Sequence, residues 1–561
     1  MPSSTVVAQW LNRNTRSGVR IARSWGQNVI ERIVIRGYRL FRDFEMKPTA
    51  GLNIVVGDNE AGKSTLLEAI SLALSGRVNG RWAEEELNPY WFNQQLVTTY
   101  FEALTAAETP TAPEILIELY LSAASDEVHL LRGVHNSRNE DAPGLRIHIK
   151  PSTDYAQEFS DYLAEPNRPE IIPVEYYEVE WQDFSGATVH RRPKGLGVSF
   201  IDSRTIRSTR GVDFHTREML GDFVEPKERA AISVAHRSAR HNISQSTLAD
   251  INKRIAAQGT KLHDKDLGLQ MDQSSNASWE ASVVPQVGDV PFALAGQGQQ
   301  AAIKVALAMN RSAASTAYVL VEEPENHLSH TSLTRLIARI ETLAGQRQVF
   351  ITTHSSYVLN RLGLDKLSLL HAGSLTTFAA ISDGTVRYFK KLSGFDTLRI
   401  VLASKLVLVE GPSDEMVFER AFRDKHGHAP IDAGVDVVSM AGVSLARALE
   451  LCAALDRHVA GIRDNDGKAA SHWEAKVSSF LAAGKRQLFI GDPANGRTLE
   501  PQLLHVNDEA ALRTLFGITD ETKTTAEWMK ESKTEGALLI AETTTPLGVP
   551  AYLAKAIEFV E

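Results

Sequence analysis

The chain has 561 residues, 43% of them hydrophobic, a formal net charge of −9 and one cysteine, Cys452. That length exceeds what a single hydrophobic core supports, so about two to four domains are expected. The lone cysteine excludes a disulfide framework or a Cys-rich zinc module and fits a cytoplasmic protein, and no apolar run reaches the roughly 18 residues that span a bilayer, so no membrane partner is expected. The acidic balance does not favour nucleic acid but leaves it open, because a carboxylate-rich metal site meets phosphate through cations and basic patches are local.

Residues 1–30 hold no acidic residue and carry Arg13, Arg16, Arg20 and Arg23. A basic, disordered or weakly helical extension is the preferred reading, over a transit peptide or an arm touching DNA. Alternation then predicts strands over 31–35, 40–46 and 52–56, read together as a β-meander. The third strand feeds Gly57-Asp58-Asn59-Glu60-Ala61-Gly62-Lys63-Ser64, which fits G-x-x-x-x-G-K-[ST], and Leu66, Leu67, Ile70 and Leu74 place a helix over 65–74. Such a loop turns successive backbone N–H groups toward phosphate oxygens, and the helix N-terminus adds partial positive charge. ATP is therefore assigned to Asn59, Gly62, Lys63, Ser64 and Thr65, with Lys63 neutralising the β- and γ-phosphates and Ser64 ligating Mg²⁺.

Further strands are expected over 114–121, 127–131, 145–150, 174–181 and 196–201, as an antiparallel component of an ATPase N-lobe covering 31–209. Residues 210–262 read as a charged helical insertion with Arg217, Arg229, Arg237, Arg240 and Arg254, suited to dimerisation or to DNA. An ATPase C-lobe follows over 263–395. In it, Gly296, Gly298 and Gln300 form a Gly-rich turn opening a helix, the place of an ATP-binding-cassette signature that contacts the nucleotide of a partner subunit. A buried strand over 317–321 ends in Glu322-Glu323-Pro324-Glu325. Glu322 is assigned to the Mg²⁺ shell and Glu323 to polarising the attacking water. The strand over 348–352 ends in Thr353-His354-Ser355, and His354 is the expected γ-phosphate sensor. The long gap from Lys63 to Glu322 argues for a split head rather than a compact kinase or GTPase.

A new unit is expected over 396–561. The apolar strand 405–409 leads into Glu410-Gly411-Pro412-Ser413-Asp414 and a helix, and the strand 458–462 leads into Asp464-Asn465-Asp466-Gly467. Carboxylates at the carboxyl ends of neighbouring parallel strands converge on one crevice, where they hold one or two Mg²⁺ or Mn²⁺ ions. Asp-Asn-Asp-Gly alone reads more often as a turn, and it is the preceding strand and the Glu-x-x-x-Asp that favour metal.

This arrangement resembles a TOPRIM domain, and the fused order resembles the OLD (overcoming lysogenization defect) nucleases from about residue 31 onward. Within them it is most similar to the class paired with a UvrD-like helicase, the Gabija nuclease subunits. The resemblance implies an α/β fold: an ABC/SMC-like P-loop ATPase head split by a helical dimerisation insertion, followed by a Rossmann-like TOPRIM domain. It also implies metal ligation by Glu410, Asp414, Asp464, Asp466 and Glu500, with Glu410 doubling as general acid or base. Lys533-Thr534-Glu535-Gly536-Ala537-Leu538 resembles the family's Lys-Ala-Glu-Phe-Ala segment, whose lysine stabilises the transition-state phosphate, although Gly536 stands where the family has Phe. The implied activity is metal-dependent DNA endonucleolysis regulated by ATP, in phage defence, by a homodimer or larger assembly. The rivals are a topoisomerase or primase, and a non-nucleolytic SMC/RecF-like DNA clamp.

Overall fold

The computed structural model describes residues 28–202, 224–257, 268–272 and 317–561, less positions 79, 107, 123–124, 166, 327, 372, 378–380 and 393–394, together with Trp279 and scattered positions between 283 and 300. The N-terminal arginines, Arg217, Gly298 and the helix expected after residue 300 lie outside the described residues.

The hairpin of β1 (Ile30–Tyr38) and β2 (Phe41–Met46) belongs to one sheet, and β3 (Leu52–Val56), followed by α1 (Lys63–Ser75), belongs to another. The expected meander is thus divided. β1 and β2 mix exposed and buried residues, whereas all five residues of β3 are buried, the pattern of a parallel strand covered on both faces. β4 (Ile115–Leu121), β5 (Ala142–Pro151) and β6 (Tyr177–Asp183) complete an antiparallel sheet in the order β2-β1-β4-β5, with β6 and the short strand Arg132–Gly133 both pairing β5. The strand expected over 127–131 is instead a helical turn, Asp126–His129. Ser125 caps it by accepting from Val128 N, a local start signal that outweighs the apolar pattern.

β7 (Val198–Asp202) also departs from expectation, because it pairs in parallel with β8 (Tyr318–Glu322) rather than joining the antiparallel sheet. Between them lie α2 (Pro226–Gln245) and α3 (Ala249–Ala257), neither of which has a buried residue. After α4 (His330–Ala344), β9 (Gln348–Thr352), α5 (Ser356–Leu362), β10 (Leu367–His371) and β11 (Ser374–Thr377), the sheet order is β7-β8-β9-β3-β10-β11, with only β11 antiparallel. The helices α6 (Asp383–Lys391) and α7 (Thr397–Leu402) lead to a four-stranded parallel sheet. Its elements are β12 (Lys405–Val409), α8 (Pro412–His426), β13 (Val435–Ser439), α9 (Leu445–Ala454), β14 (His458–Arg463), α10 (Ala470–Val477) and β15 (Arg486–Ile490), in the order β13-β12-β14-β15. α11 (Leu499–Val506), α12 (Lys533–Glu542) and α13 (Ala551–Val560) close this unit.

Period-two burial stacks these pieces into layers. Tyr318 and Leu320 of β8 face α1 and the antiparallel sheet, while Val319 and Val321 face α4 and α5. Leu406 and Leu408 of β12 share the second of these cores with α7, whereas Val407 and Val409 face α8 and α13. One continuous apolar layer therefore lies between the two parallel sheets and includes Leu398, Ile400 and Val401, on the far side of the boundary expected at 395/396.

Gln348 fastens the antiparallel sheet to the parallel one. Its buried amide accepts from Ile30 N (2.8 Å) and donates to Ile30 O (2.9 Å) and Thr49 O (2.8 Å). A buried polar group left unpaired costs about 1–3 kcal/mol, so Gln348→Leu, which takes this partner from Ile30 N and Ile30 O while Thr49 O keeps Asn53 Nδ2, should destabilise the protein by about 2 kcal/mol or more. The check is the urea midpoint of the first unfolding transition, and an unchanged midpoint refutes the staple.

Candidate active sites

The first site forms where β3, β8 and β9 end side by side. Gly57 is backed by Leu370 O, which a Cβ would meet at 2.3 Å, and Gly62 adopts φ +102°, so both positions of the loop require glycine. Lys63 is buried, and its ammonium donates to Gly57 O and Asp58 O (both 2.9 Å), folding back under the loop it serves. Burial lowers its pKa against the opposing pull of Glu323, Asp58, Glu322 and Glu325. Asn59 stands exposed on the loop and Thr65 is buried in the first turn of α1.

Sheet order explains how residues distant in sequence meet. β9 lies between β3 and β8, which brings its end beside both the phosphate loop and the acidic strand. The Ser64 hydroxyl donates to the almost fully buried Glu322, joining the two predicted Mg²⁺ ligands directly. Glu323 takes φ +43°, donates its N–H to Thr352 O (2.9 Å), and holds His354 Nε2 at 3.3 Å and Asn326 Nδ2 at 2.8 Å. Burial, then the Lys63 charge, lower the His354 pKa against the pull of Glu323, so the imidazole is neutral near pH 7. Glu325 was given no role by the sequence, yet its buried carboxylate accepts from Thr353 Oγ1 (2.9 Å) and His354 N (2.6 Å) and fixes the sensor loop. Gly296 O accepts from Gln300 N (2.9 Å).

The second site lies at the carboxyl ends of β12 and β14. The chain runs from β12 outward to β13 and returns to the other side of β12 as β14, so the crevice between Glu410 and Asp464 is a topological switch point. Asp414 caps α8 by accepting from Gly411 N (3.0 Å). Asn465 is buried and braces the acidic loop, donating to Gly491 O (3.1 Å) and Gly496 O (2.7 Å) and accepting from Gly467 N (2.7 Å). Glu500, in the first turn of α11, pairs with Lys533 at 2.9 Å and accepts from Thr498 Oγ1 at 2.5 Å.

The carboxylates share one field. Burial first, then Asp414, Glu410 and Glu500, raise Asp464 from the usual aspartate range to about 7, with Lys533 opposing. Burial likewise raises Glu410 and Asp414. Burial works against the Lys533 ammonium, but Glu500, Asp464 and Asp414 outweigh it and raise its pKa. Arg463, to which the sequence assigned no role, also borders the carboxylates. It contacts Glu410 (3.3 Å) and Asp466 (3.0 Å), and its one sequence signal is its position immediately before Asp-Asn-Asp-Gly. Tyr552 of α13 is the other omission; burial and then the charges of Asp414, Asp464, Glu500 and Glu410 push its phenol far up.

Gly536 is accommodated without the family's Phe, because Trp528, stacked on Phe516 at 4.8 Å, comes within 3.3 Å of where a Cβ would stand. Arg420 of α8 donates to Ile540 O (3.0 Å) and so keeps the Lys533 helix against the Asp414 helix. Among the described residues no three His, Cys, Asp or Glu side chains are grouped closely enough to hold a metal ion, since Glu410 and Asp466 engage Arg463 and Glu500 engages Lys533. The donor set is all oxygen, and its mutual repulsion is what a hard divalent cation relieves, so the residues fit Mg²⁺ or Mn²⁺. No described helix is long and apolar enough to cross a membrane.

A family profile described as AAA domain, putative AbiEii toxin, Type IV TA system, matches residues 52–360, and one described as overcoming lysogenization defect protein-like, TOPRIM domain, matches residues 401–466. The DNA replication and repair protein RecF of Thioalkalivibrio sulfidiphilus is 48% identical over 48 residues, which cover 9% of this chain and 13% of that protein. RecF of Magnetococcus marinus is 37% identical over 73 residues, covering 12% and 19%. The chain thus spans less than a fifth of the length of these curated relatives. Among solved structures, the C-terminal region of the Burkholderia pseudomallei OLD protein superposes with a TM-score of 0.24 at 17% identity, over 28% of this chain and 97% of that one. A RecF–ATP recombination mediator superposes with a TM-score of 0.32 at 12% identity, over 64% and 100%.

The raised Asp464 pKa has a definite sign in stability. The folded state holds this proton more tightly than the unfolded chain, so the stabilisation is fully present below the ordinary aspartate pKa and is lost as pH rises through about 7. In EDTA, Asp464→Asn should therefore gain thermal stability relative to the unsubstituted protein between pH 5 and pH 8. A midpoint difference that stays constant with pH contradicts the assignment.

Proposed function

The chain belongs to the AAA-domain family whose profile spans residues 52–360 and carries an OLD-like TOPRIM unit behind that domain, and from this premise we propose that it is a DNA endonuclease whose cutting is regulated by its ATPase head. The single observation that carries the reading is the convergence of Glu410, Asp414, Asp464 and Glu500 in one field with Lys533 beside them.

Glu410, Asp414, Asp464, Asp466 and Glu500 would hold the divalent cations. Such ions, when bound, supply an activated water and neutralise the leaving oxygen of a phosphodiester. Lys533 places positive charge where the transition-state phosphate develops its extra negative charge. Arg463 orients Glu410 and Asp466, and Asn465 keeps the acidic loop rigid. In the head, Lys63 and the loop N–H groups would hold phosphates, Ser64 and Glu322 would hold Mg²⁺, and Glu323 with neutral His354 would orient water. Dimerisation through α2 and α3, whose faces are unburied, would bring a partner's Gly296–Gln300 segment to the nucleotide. A role in phage defence is proposed from family resemblance alone. A DNA clamp with a degenerate second unit is the weaker reading, because the carboxylates and Lys533 are all present.

Regulation is supported by the path between the sites. α5 begins one residue after the His354 loop, and its Asn360 donates to Leu392 O (3.0 Å) and Phe395 O (2.9 Å), at the end of α6. α6 in turn grips the second unit: Tyr388 OH accepts from Ser444 N (2.9 Å), and Arg447 donates to Thr385 Oγ1 (2.7 Å).

Supercoiled plasmid incubated with Mg²⁺ or Mn²⁺ tests the activity. Nicked or linear product should fall to background in Glu410→Ala and by about 10²–10³-fold in Lys533→Ala. Cleavage that survives Glu410→Ala rules the site out. For the coupling, Tyr388→Phe combined with Arg447→Ala should bring the ratio of cutting rates with and without ATP toward unity while ATP hydrolysis persists. An unchanged ratio removes α6 as the connecting element.

A further inference from the structure

Beside Glu410 lies a cavity of 410 Å³ whose lining includes neither Asp414 nor Glu500. Its floor is apolar, formed by Met440, Val443, Leu445, Val477 and Leu488. Its wall carries Trp473, Arg463 and Lys476. The indole is fixed rather than free, because Nε1 donates to Asn465 O (3.0 Å), inside the acidic loop itself. The Arg463 guanidinium stacks 3.4 Å from the centre of the indole, and Lys476 Nζ lies 4.2 Å from it. Arg463 pairs with Glu410 and Asp466, and the exposed Lys476 brings further positive charge to the rim, above an apolar slot.

An apolar slot with an aromatic wall suits a planar base, and the Lys476 ammonium at its rim suits a phosphate. Bases taken out of the duplex stack against aromatic rings and guanidinium planes in this way, at about 1–3 kcal/mol per base. The volume falls in the range of small-molecule pockets, about 300–1,000 Å³, which is enough for one nucleoside and too little for a duplex. Glu410 and Arg463 border both the cavity and the carboxylate set, so a group in the cavity is adjacent to the phosphate being cut.

We propose that this cavity is a nucleoside-monophosphate subsite that receives the nucleoside flanking the scissile phosphate, unstacked, so that the nuclease favours single-stranded or mispaired positions over intact duplex. The proposal rests on the nuclease reading of Glu410 and its neighbours. A released mononucleotide presents the same chemistry as the strand and serves as the probe.

The binding arm is calorimetry of the full chain in EDTA, with Lys63→Ala as background to silence the head, titrated with thymidine 5′-monophosphate and separately with inorganic phosphate. The mononucleotide should bind, inorganic phosphate should bind at least about tenfold more weakly, and Lys476→Glu should weaken the mononucleotide by about tenfold or more. The cleavage arm uses the otherwise unsubstituted chain on a labelled duplex with and without a central mismatched stretch. The preference for the mismatched duplex should shrink several-fold in Lys476→Glu and in Val443→Trp, which fills the slot. Lys476 is exposed, so its variant tests the proposal even where Val443→Trp does not fold. Cleavage with an unaltered preference in Lys476→Glu, or no mononucleotide binding, overturns the subsite and leaves the nuclease standing. Cavity-dependent binding with no cleavage by any form removes the nuclease reading, and with it the substrate role of the cavity.

Discussion

A strand that pairs in parallel must start from the same end of the sheet as its neighbour, so the loops that follow parallel strands share the carboxyl edge, and a crevice opens there where the strand order reverses. Both sites obey this constraint. In the head it aligns the ends of β3, β9 and β8, which place Lys63, His354 and Glu322 together although up to 291 residues separate them along the chain. In the second unit it aligns the ends of β12 and β14, and Glu410 faces Asp464.

Convergence of acids has an electrostatic consequence that each site handles differently. In the head one buried lysine faces Glu322, Glu323 and Glu325, and backbone carbonyls of the phosphate loop accept from it. In the second unit the compensation is divided, with Arg463 on one flank of the carboxylates and Lys533 on the other. That division gives the crevice two faces: an acidic one suited to hard cations, and a cationic, aromatic one lined by Trp473 and Lys476. Glu410 stands on the border of both.

The two sites also share a packed apolar layer. The apolar layer between the parallel sheets contains side chains from β3, β8, β12 and the helices between them, and interiors so packed compress little and transmit strain. α6 lies in this layer and contacts the loop ahead of α9, which lines the cavity.

By itself the sequence determined the local features: the phosphate loop, the buried strands Leu52–Val56, Gln348–Thr352 and Lys405–Val409, and the acids that follow such strands. These were legible because hydrophobic period, glycine spacing and strand-end acids are properties of contiguous residues. The helical turn Asp126–His129 was misread because a short apolar run carries no reliable period, and Ser125 decided it. Only the tertiary structure decided which sheet β7 joins, that Gln348 staples two sheets, that Trp528 stands behind Gly536, and that Arg463 with Trp473 shapes the second face of the crevice. Each of these depends on a partner distant in the chain or on the direction a side chain takes, and linear spacing does not encode such pairings.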